Sequence, residues 1–162
     1  MTAYFYCCPQ RLDVGSFVDP GEGGRILRTY DHQTFSNTWI ILVRELVYEH
    51  VRREQFPTKP SRLDCLLLCM NEDDLSEFHA ASGRRLDYRY EVELVNPLAR
   101  GHLGDLTLTG IKPTDDVAAI ERSASLYWQG TSIAKPELAT LSPIWITRRL
   151  KRRARWRLRR FG

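Results

Sequence analysis

A single α+β domain built on a largely antiparallel sheet is the fold class predicted for this chain, on three observations. Its 162 residues suit one domain with a real core, and its hydrophobic and charged fractions of 43% and 27% are ordinary for a globular protein. Tyr88, Tyr90, Val92 and Leu94 alternate with Arg89, Glu91 and Glu93, the period of two expected of a half-buried strand. Trp39, Leu42, Val43, Leu46, Val47 and Val51 recur instead at helical spacing, so helix and strand share the chain.

The elements follow in order. Tyr4–Cys8 is short and aromatic and reads as a first strand that Pro9 ends, and Leu12–Val18 reads as a second extended piece. Asp19-Pro20-Gly21-Glu22-Gly23-Gly24 is a turn-rich loop, because its glycines permit positive φ and close backbone approach. Thr34-Phe35-Ser36 can start the helix that carries the Trp39-to-Val51 core stripe. Glu45 and Glu49 are then expected on its solvated face, and Pro57 and Pro60 end it. Leu63–Cys69 reads as a buried strand. Asn71 caps a short acidic helix that turns Leu75 and Phe78 inward and stops at Gly83. After the Tyr88–Val95 strand, Leu103–Ile111 continues the sheet. Pro113-Thr114-Asp115-Asp116 opens a helix through Val117, Ile120 and Ala124. Leu126–Gly130 leads out of it toward a last strand over Leu138–Thr147.

Charge divides the chain unevenly. Nine of the 24 Lys/Arg residues fall between Arg148 and Gly162, where there is no acid, leaving 15 basic residues against 20 acidic in the rest. Residues 1–147 form the expected domain and 148–162 a basic C-terminal tail or helix, in which Leu150, Ala154, Leu158 and Phe161 share one stripe. Such a tail attracts polyanions by releasing their counterions, and Trp156 is available to stack on a base. A membrane-surface helix and a solubilising or docked tail are the other readings of the same residues, with contact to RNA or DNA ranked first.

Several classes drop out. No apolar stretch approaches the roughly 20 residues that cross a bilayer, and no signal-peptide pattern precedes Cys7 and Cys8, so a cytoplasmic protein is expected. Cys7, Cys8, Cys65 and Cys69, with His32, His50, His79 and His102, lack metal-ligand spacing and read as free thiols and scattered imidazoles. Gly21-Glu22-Gly23-Gly24 is followed by no Lys-Ser/Thr pair, and it lacks the strand–turn–helix setting of a dinucleotide fingerprint. No Ser-His-Asp arrangement stands out.

What remains is an ordered set of landmarks: Phe5-Tyr6-Cys7, Leu12-Asp13-Val14-Gly15, Pro20-Gly21-Glu22-Gly23-Gly24-Arg25, the Tyr88–Glu93 segment, and Glu137-Leu138 followed by Pro143-Ile144-Trp145-Ile146. Their succession over Tyr4 to Thr147 resembles ADP-ribosyltransferases, most closely the small rifampin-modifying type. The resemblance implies a split sheet gripping NAD in an extended cleft, with a late-strand acid facing the nicotinamide ribose. Mapped by position, Glu137 is the acid that stabilises an oxocarbenium-like sugar. Tyr6 and Ser61 position the ribose, and Arg25 meets the pyrophosphate. Two positions depart from the pattern. Tyr6 or Cys7 stands where the family has His or Arg, and Leu66, Leu67 and Leu68 fill the place of its central aromatic.

Each landmark also has a plainer reading. Glu137 after Pro136 is equally a strand-start acid, Tyr6 a core-edge tyrosine, Arg25 a solvated surface charge and Ser61 a strand entry. The expected function is therefore NAD-dependent transfer of ADP-ribose to a nucleic acid or protein acceptor. Some small bacterial relatives of this type are toxins neutralised by a protein partner. The alternative is a non-catalytic nucleic-acid-binding or interaction domain on the same fold.

Overall fold

The structure, a computed structural model, describes residues 2–28, 37–81, 88–110, 115–131 and 133–150, the side chains of 37–39 and 79–81 excepted. The expected helix start at Thr34-Phe35-Ser36, the stop at Gly83, the Pro113-Thr114 turn, the Trp39 side chain and the basic segment from Lys151 onward lie outside these residues.

Among the described residues seven strands form one antiparallel sheet: β1 (Tyr4–Cys8), β2 (Phe17–Val18), β3 (Leu66–Cys69), β4 (Tyr88–Leu94), β5 (Gly101–Asp105), β6 (Pro136–Thr140) and β7 (Ile144–Arg149). Their spatial order is β2-β7-β4-β1-β3-β6-β5. The alternating segment is a strand as expected, with Tyr90 and Val92 in the core beside Ile144, Ile146, Tyr6 and Leu68, but Arg89, expected on its polar face, is buried as well. Pairing is uneven across the middle of the sheet. β1 pairs with β4 along its whole length, from Tyr4↔Val92 to Cys8↔Tyr88. It meets β3 at Phe5↔Cys69 alone. Tyr6, Cys7 and Cys8 therefore run past Leu66–Leu68 without a ladder between them, and the sheet opens there.

Among the described residues four α-helices flank it: α1 (Glu22–Leu27), α2 (Asn37–Gln55), α3 (Glu72–Ala81) and α4 (Val117–Gln129). α3 begins as foreseen, with the Asn71 Oδ1 accepting from the Asp74 N–H at 2.7 Å, and its Leu75 and Phe78 pack over Cys69. α2 packs on α4 through Tyr48, Val51, Ile120, Ala124, Tyr127 and Trp128.

The structure corrects several expectations. Leu103–Ile111 is strand only to Asp105, whose carboxylate accepts from the Thr107 N–H and starts a 3-10 turn over Leu106–Thr109, and the strand expected over Leu63–Cys69 begins at Leu66. The segment 12–18 is mostly turn, because Gly15 has φ 91° and the Ser16 N–H returns to the Asp13 carbonyl, leaving only Phe17–Val18 as strand. The glycine loop ends in α1 rather than running to Gly24. A Cβ at Gly24 would collide with the Leu63 carbonyl, so the missing side chain lets this helix lie against the chain entering β3. Leu126–Gly130 is the last turn of α4, closed by Gly130 at φ 64° donating to the Leu126 carbonyl. Leu138–Thr147 is two strands, since Leu141-Ser142-Pro143 turns the chain from β6 on one side of the sheet to β7 on the other. β7 also reaches Arg149, so the first two residues assigned to the basic tail belong to the sheet, where Arg148 pairs with Glu91.

A buried charge cluster on a cavity

The largest departure from the sequence reading concerns α2. Its buried face carries Glu45, Tyr48, Glu49 and Val51, while Leu46, assigned to the apolar stripe, is 56% exposed. Glu45 and Glu49 are thus core residues, not solvated ones. Buried carboxylates need partners, and each has them. The Glu49 carboxylate accepts from Arg52 at 2.7 Å, Arg53 at 2.9 Å and the Ser61 hydroxyl at 2.8 Å. Burial pushes its pKa up, but these donors outweigh that and bring it to about 2.

Glu45 anchors a second, deeper group. It accepts from Arg44 at 2.8 Å and from the Nε and Nη2 of Arg62 at 3.0 and 3.2 Å. Arg62 also donates through Nη1 to Glu137 Oε1, and its guanidinium lies 4.8 Å from the centre of the Tyr127 ring. Tyr127 donates its hydroxyl to the same Glu137 oxygen at 2.9 Å. Arg62 and Glu137 are only 5% and 4% exposed. Side chains from α2, the β3 entry, α4 and β6 therefore meet in one network.

Local backbone explains why Glu137 arrives there. It lies in a row of paired residues, Phe5–Cys69–Glu137–Gly104, crossing β1, β3, β6 and β5. A Cβ at Gly104 would strike the Tyr127 ring, so this glycine makes the space from which Tyr127 reaches Glu137. The turn into β6 is pinned by Asp105, whose carboxylate accepts from the Ala134 and Lys135 N–H groups at 2.8 and 3.2 Å. Burial raises the Asp105 pKa, yet these amide donors and Thr107 bring it below the usual carboxylate range.

A cavity of about 310 Å³ lies against this cluster, at the lower end of the ~300–1,000 Å³ usual for small-molecule sites. Tyr6 to Pro9 and Cys65 to Leu67 line it where β1 and β3 part; Glu22 and Ile26 come from α1, Arg44 and Glu45 from α2, and Arg62 and Glu137 complete its polar wall. Tyr6 donates to Glu22 Oε2 at 3.2 Å, and burial raises its phenol pKa far above the ordinary value. Burial likewise pushes the Cys65 thiol up to about 12, despite the nearby Arg62.

Of the four residues singled out beforehand, Tyr6 and Glu137 line the same cavity. Ser61 is buried outside its lining with its hydroxyl directed to Glu49, and Arg25 is exposed on α1. Arg62, Glu45 and Tyr127 were not anticipated. The row Glu45, Tyr48, Glu49, Arg52, spaced 0, 3, 4, 7 along one helical face, is a signal that could have raised Glu45, whereas nothing local points to Arg62 or Tyr127. Among the described residues no group of three or more His, Cys, Asp or Glu side chains could hold a metal ion, and no helix is long and apolar enough to cross a membrane.

Acid should loosen this cluster. Burial raises the Glu45 pKa, but the Arg62 and Arg44 guanidiniums prevail and hold it at about 2. A depressed folded-state value gives stability that is complete above the unfolded pKa of about 4.3 and is lost as pH falls toward 2. Urea midpoints should accordingly be flat from pH 7 to about 5 and fall below that. Glu45→Gln should start lower and fall less steeply. An identical acid slope in that variant would remove Glu45 from the account.

The fold and its lining define an antiparallel α+β protein with a small cavity walled by buried ion pairs. The chain belongs to a family described as a protein of unknown function, DUF2441, whose model matches residues 25–143. That span includes Arg62, Tyr127 and Glu137, while β1 and Glu22 precede it. No curated protein matches the sequence.

Proposed function

We propose that this protein cleaves NAD and transfers ADP-ribose to a macromolecular acceptor, with the nicotinamide ribose bound in the cavity between β1 and β3. One observation carries the reading. Glu137 is buried and fixed through Oε1 by Arg62 and Tyr127, while its Oε2 has no hydrogen-bond donor among the described residues of a cavity-lining group. A carboxylate held in this manner suits the chemistry, because the glycosidic bond breaks with its electron pair leaving on nicotinamide and positive charge building on the sugar. Glu137 stabilises that charge, Tyr6 contacts the ribose, and an acceptor nucleophile attacks the anomeric carbon and loses its proton. Ser61 supports the site indirectly by holding Glu49. Arg25, exposed on α1, meets the pyrophosphate outside the cavity. The Arg-rich C-terminus favours RNA or DNA as the acceptor over protein.

The test is incubation of the full chain with labelled NAD and RNA, DNA or protein acceptors, following nicotinamide release and label transfer. Release with transfer to one acceptor class is expected. Absence of NAD binding at millimolar concentration would end the proposal. One contact favours a second reading, a binding domain without catalysis: Arg62 already offsets the Glu137 charge. NAD binding with no nicotinamide release would select it.

A further inference from the structure

The polar wall of the cavity is unequal in what it has left to offer a ligand. Three carboxylates line it, Glu22, Glu45 and Glu137, against two cations, Arg44 and Arg62. Each guanidinium nitrogen of those two arginines already has a protein acceptor, which fixes both groups in the wall, although each Nη keeps a second N–H. Arg62 uses Nε and Nη2 on Glu45 and Nη1 on Glu137. Arg44 uses Nε and Nη2 on Glu45 and Nη1 on the Thr109 carbonyl at 2.6 Å. Glu45 is saturated by these contacts. By contrast, Glu137 Oε2 and Glu22 Oε1 have no hydrogen-bond donor among the described residues, and Glu137 is 4% exposed. The remaining walls are apolar or neutral, including Ile26, Leu27, Phe78 and Leu106.

We infer that this cavity is a site for a small organic monocation with a flat ring, and that it turns anionic groups away. A phosphate inside would face three carboxylates against two guanidiniums whose charges are already matched by Glu45 and Glu137, so the lining as a whole repels it. A monocation instead balances the excess of one negative side chain among the five, and its ring covers the apolar wall. Glu22 is the selective element: it is half-buried, its carboxylate is fixed by the Tyr6 hydroxyl, and it lies outside the Arg62 network. This deepens the NAD reading and rests on it for the natural ligand, the cationic pyridinium end entering while the phosphates stay outside.

The experiment is calorimetric titration of the full chain with three compounds: 1-methylnicotinamide, a cation; nicotinamide, its neutral counterpart; and ADP-ribose, an anion. The cation should bind about tenfold or more tighter than nicotinamide, Glu22→Gln should remove most of that preference, and ADP-ribose should not compete with it. Equal affinity for cation and neutral ring, failure of the cation to bind at millimolar concentration, or displacement of the cation by ADP-ribose would each overturn the inference. Cation selectivity in a protein that leaves NAD intact would sustain the site and end the transferase proposal. NAD cleavage without cation selectivity would do the reverse.

Discussion

Arg62→Met should lower stability by about 3–5 kcal/mol, because it removes a cation shared by two buried carboxylates and leaves one of them, Glu137, with no cation. In a chain of this length that corresponds to a fall of roughly 6–20 °C in the thermal midpoint. Methionine keeps most of the side-chain volume, so the loss reports electrostatics more than a cavity. Both Glu45 and Glu137 accept from Arg62, and its guanidinium is also packed against Tyr127 and, at 5.8 Å, Tyr48. Arg44 remains to Glu45, whereas Glu137 retains only the Tyr127 hydroxyl. The double variant Arg62→Met/Glu137→Gln should therefore recover part of the loss, since it removes the stranded charge with its partner. Circular-dichroism melts of the parent, both single variants and the double variant close the cycle. A single Arg62→Met variant melting within about 2 °C of the parent would mean that water, not Arg62, solvates these acids.

This network also marks the limit of what the amino-acid pattern disclosed. Strands β1 and β4 and helix α3 were legible because each is set by neighbouring residues: the alternation over Tyr88–Leu94, Pro9 after Cys8, and the Asn71 cap. α2 was legible as a helix but not in its orientation. It carries an apolar stripe and an acidic stripe, and hydrophobicity alone assigns the first to the core. The cluster reverses part of that choice: Arg62, about 17 residues beyond Glu45, neutralises an acid that would otherwise be too costly to bury. Pairing of this kind is long-range and leaves no periodicity. The same holds for Gly104, whose missing side chain matters only because Tyr127 arrives from α4. Glu137 and Tyr6 were reachable in advance through the order of landmarks, and they do share a cavity. Ser61 occupies the expected stretch of chain, yet Glu49 claims its hydroxyl. Nothing local distinguishes a serine facing a cleft from one facing a buried carboxylate.

If the transfer reading holds, Glu137→Gln should reduce kcat for nicotinamide release by about 10²–10³, the cost of removing one preorganised group that stabilises transition-state charge. The Michaelis constant should change far less, because the ground-state ribose needs only a hydrogen-bond acceptor and the amide oxygen still supplies one. The amide is nearly isosteric and can keep its contacts with Arg62 and Tyr127, so the variant should remain folded, as a melt of the same sample will show. Tyr127→Phe separates position from charge: Glu137 keeps its ion pair with Arg62 but loses one of two restraints on Oε1. A loss in kcat smaller than that of Glu137→Gln, at similar substrate affinity, is the expected result, since misorienting a charged group costs less than neutralising it. Parent-level turnover by Glu137→Gln would remove the carboxylate from the chemistry, whatever the cavity binds. Loss of NAD binding in that variant, with the protein still folded, would instead make Glu137 a ligand-binding residue and leave the ion-pair cluster as its support.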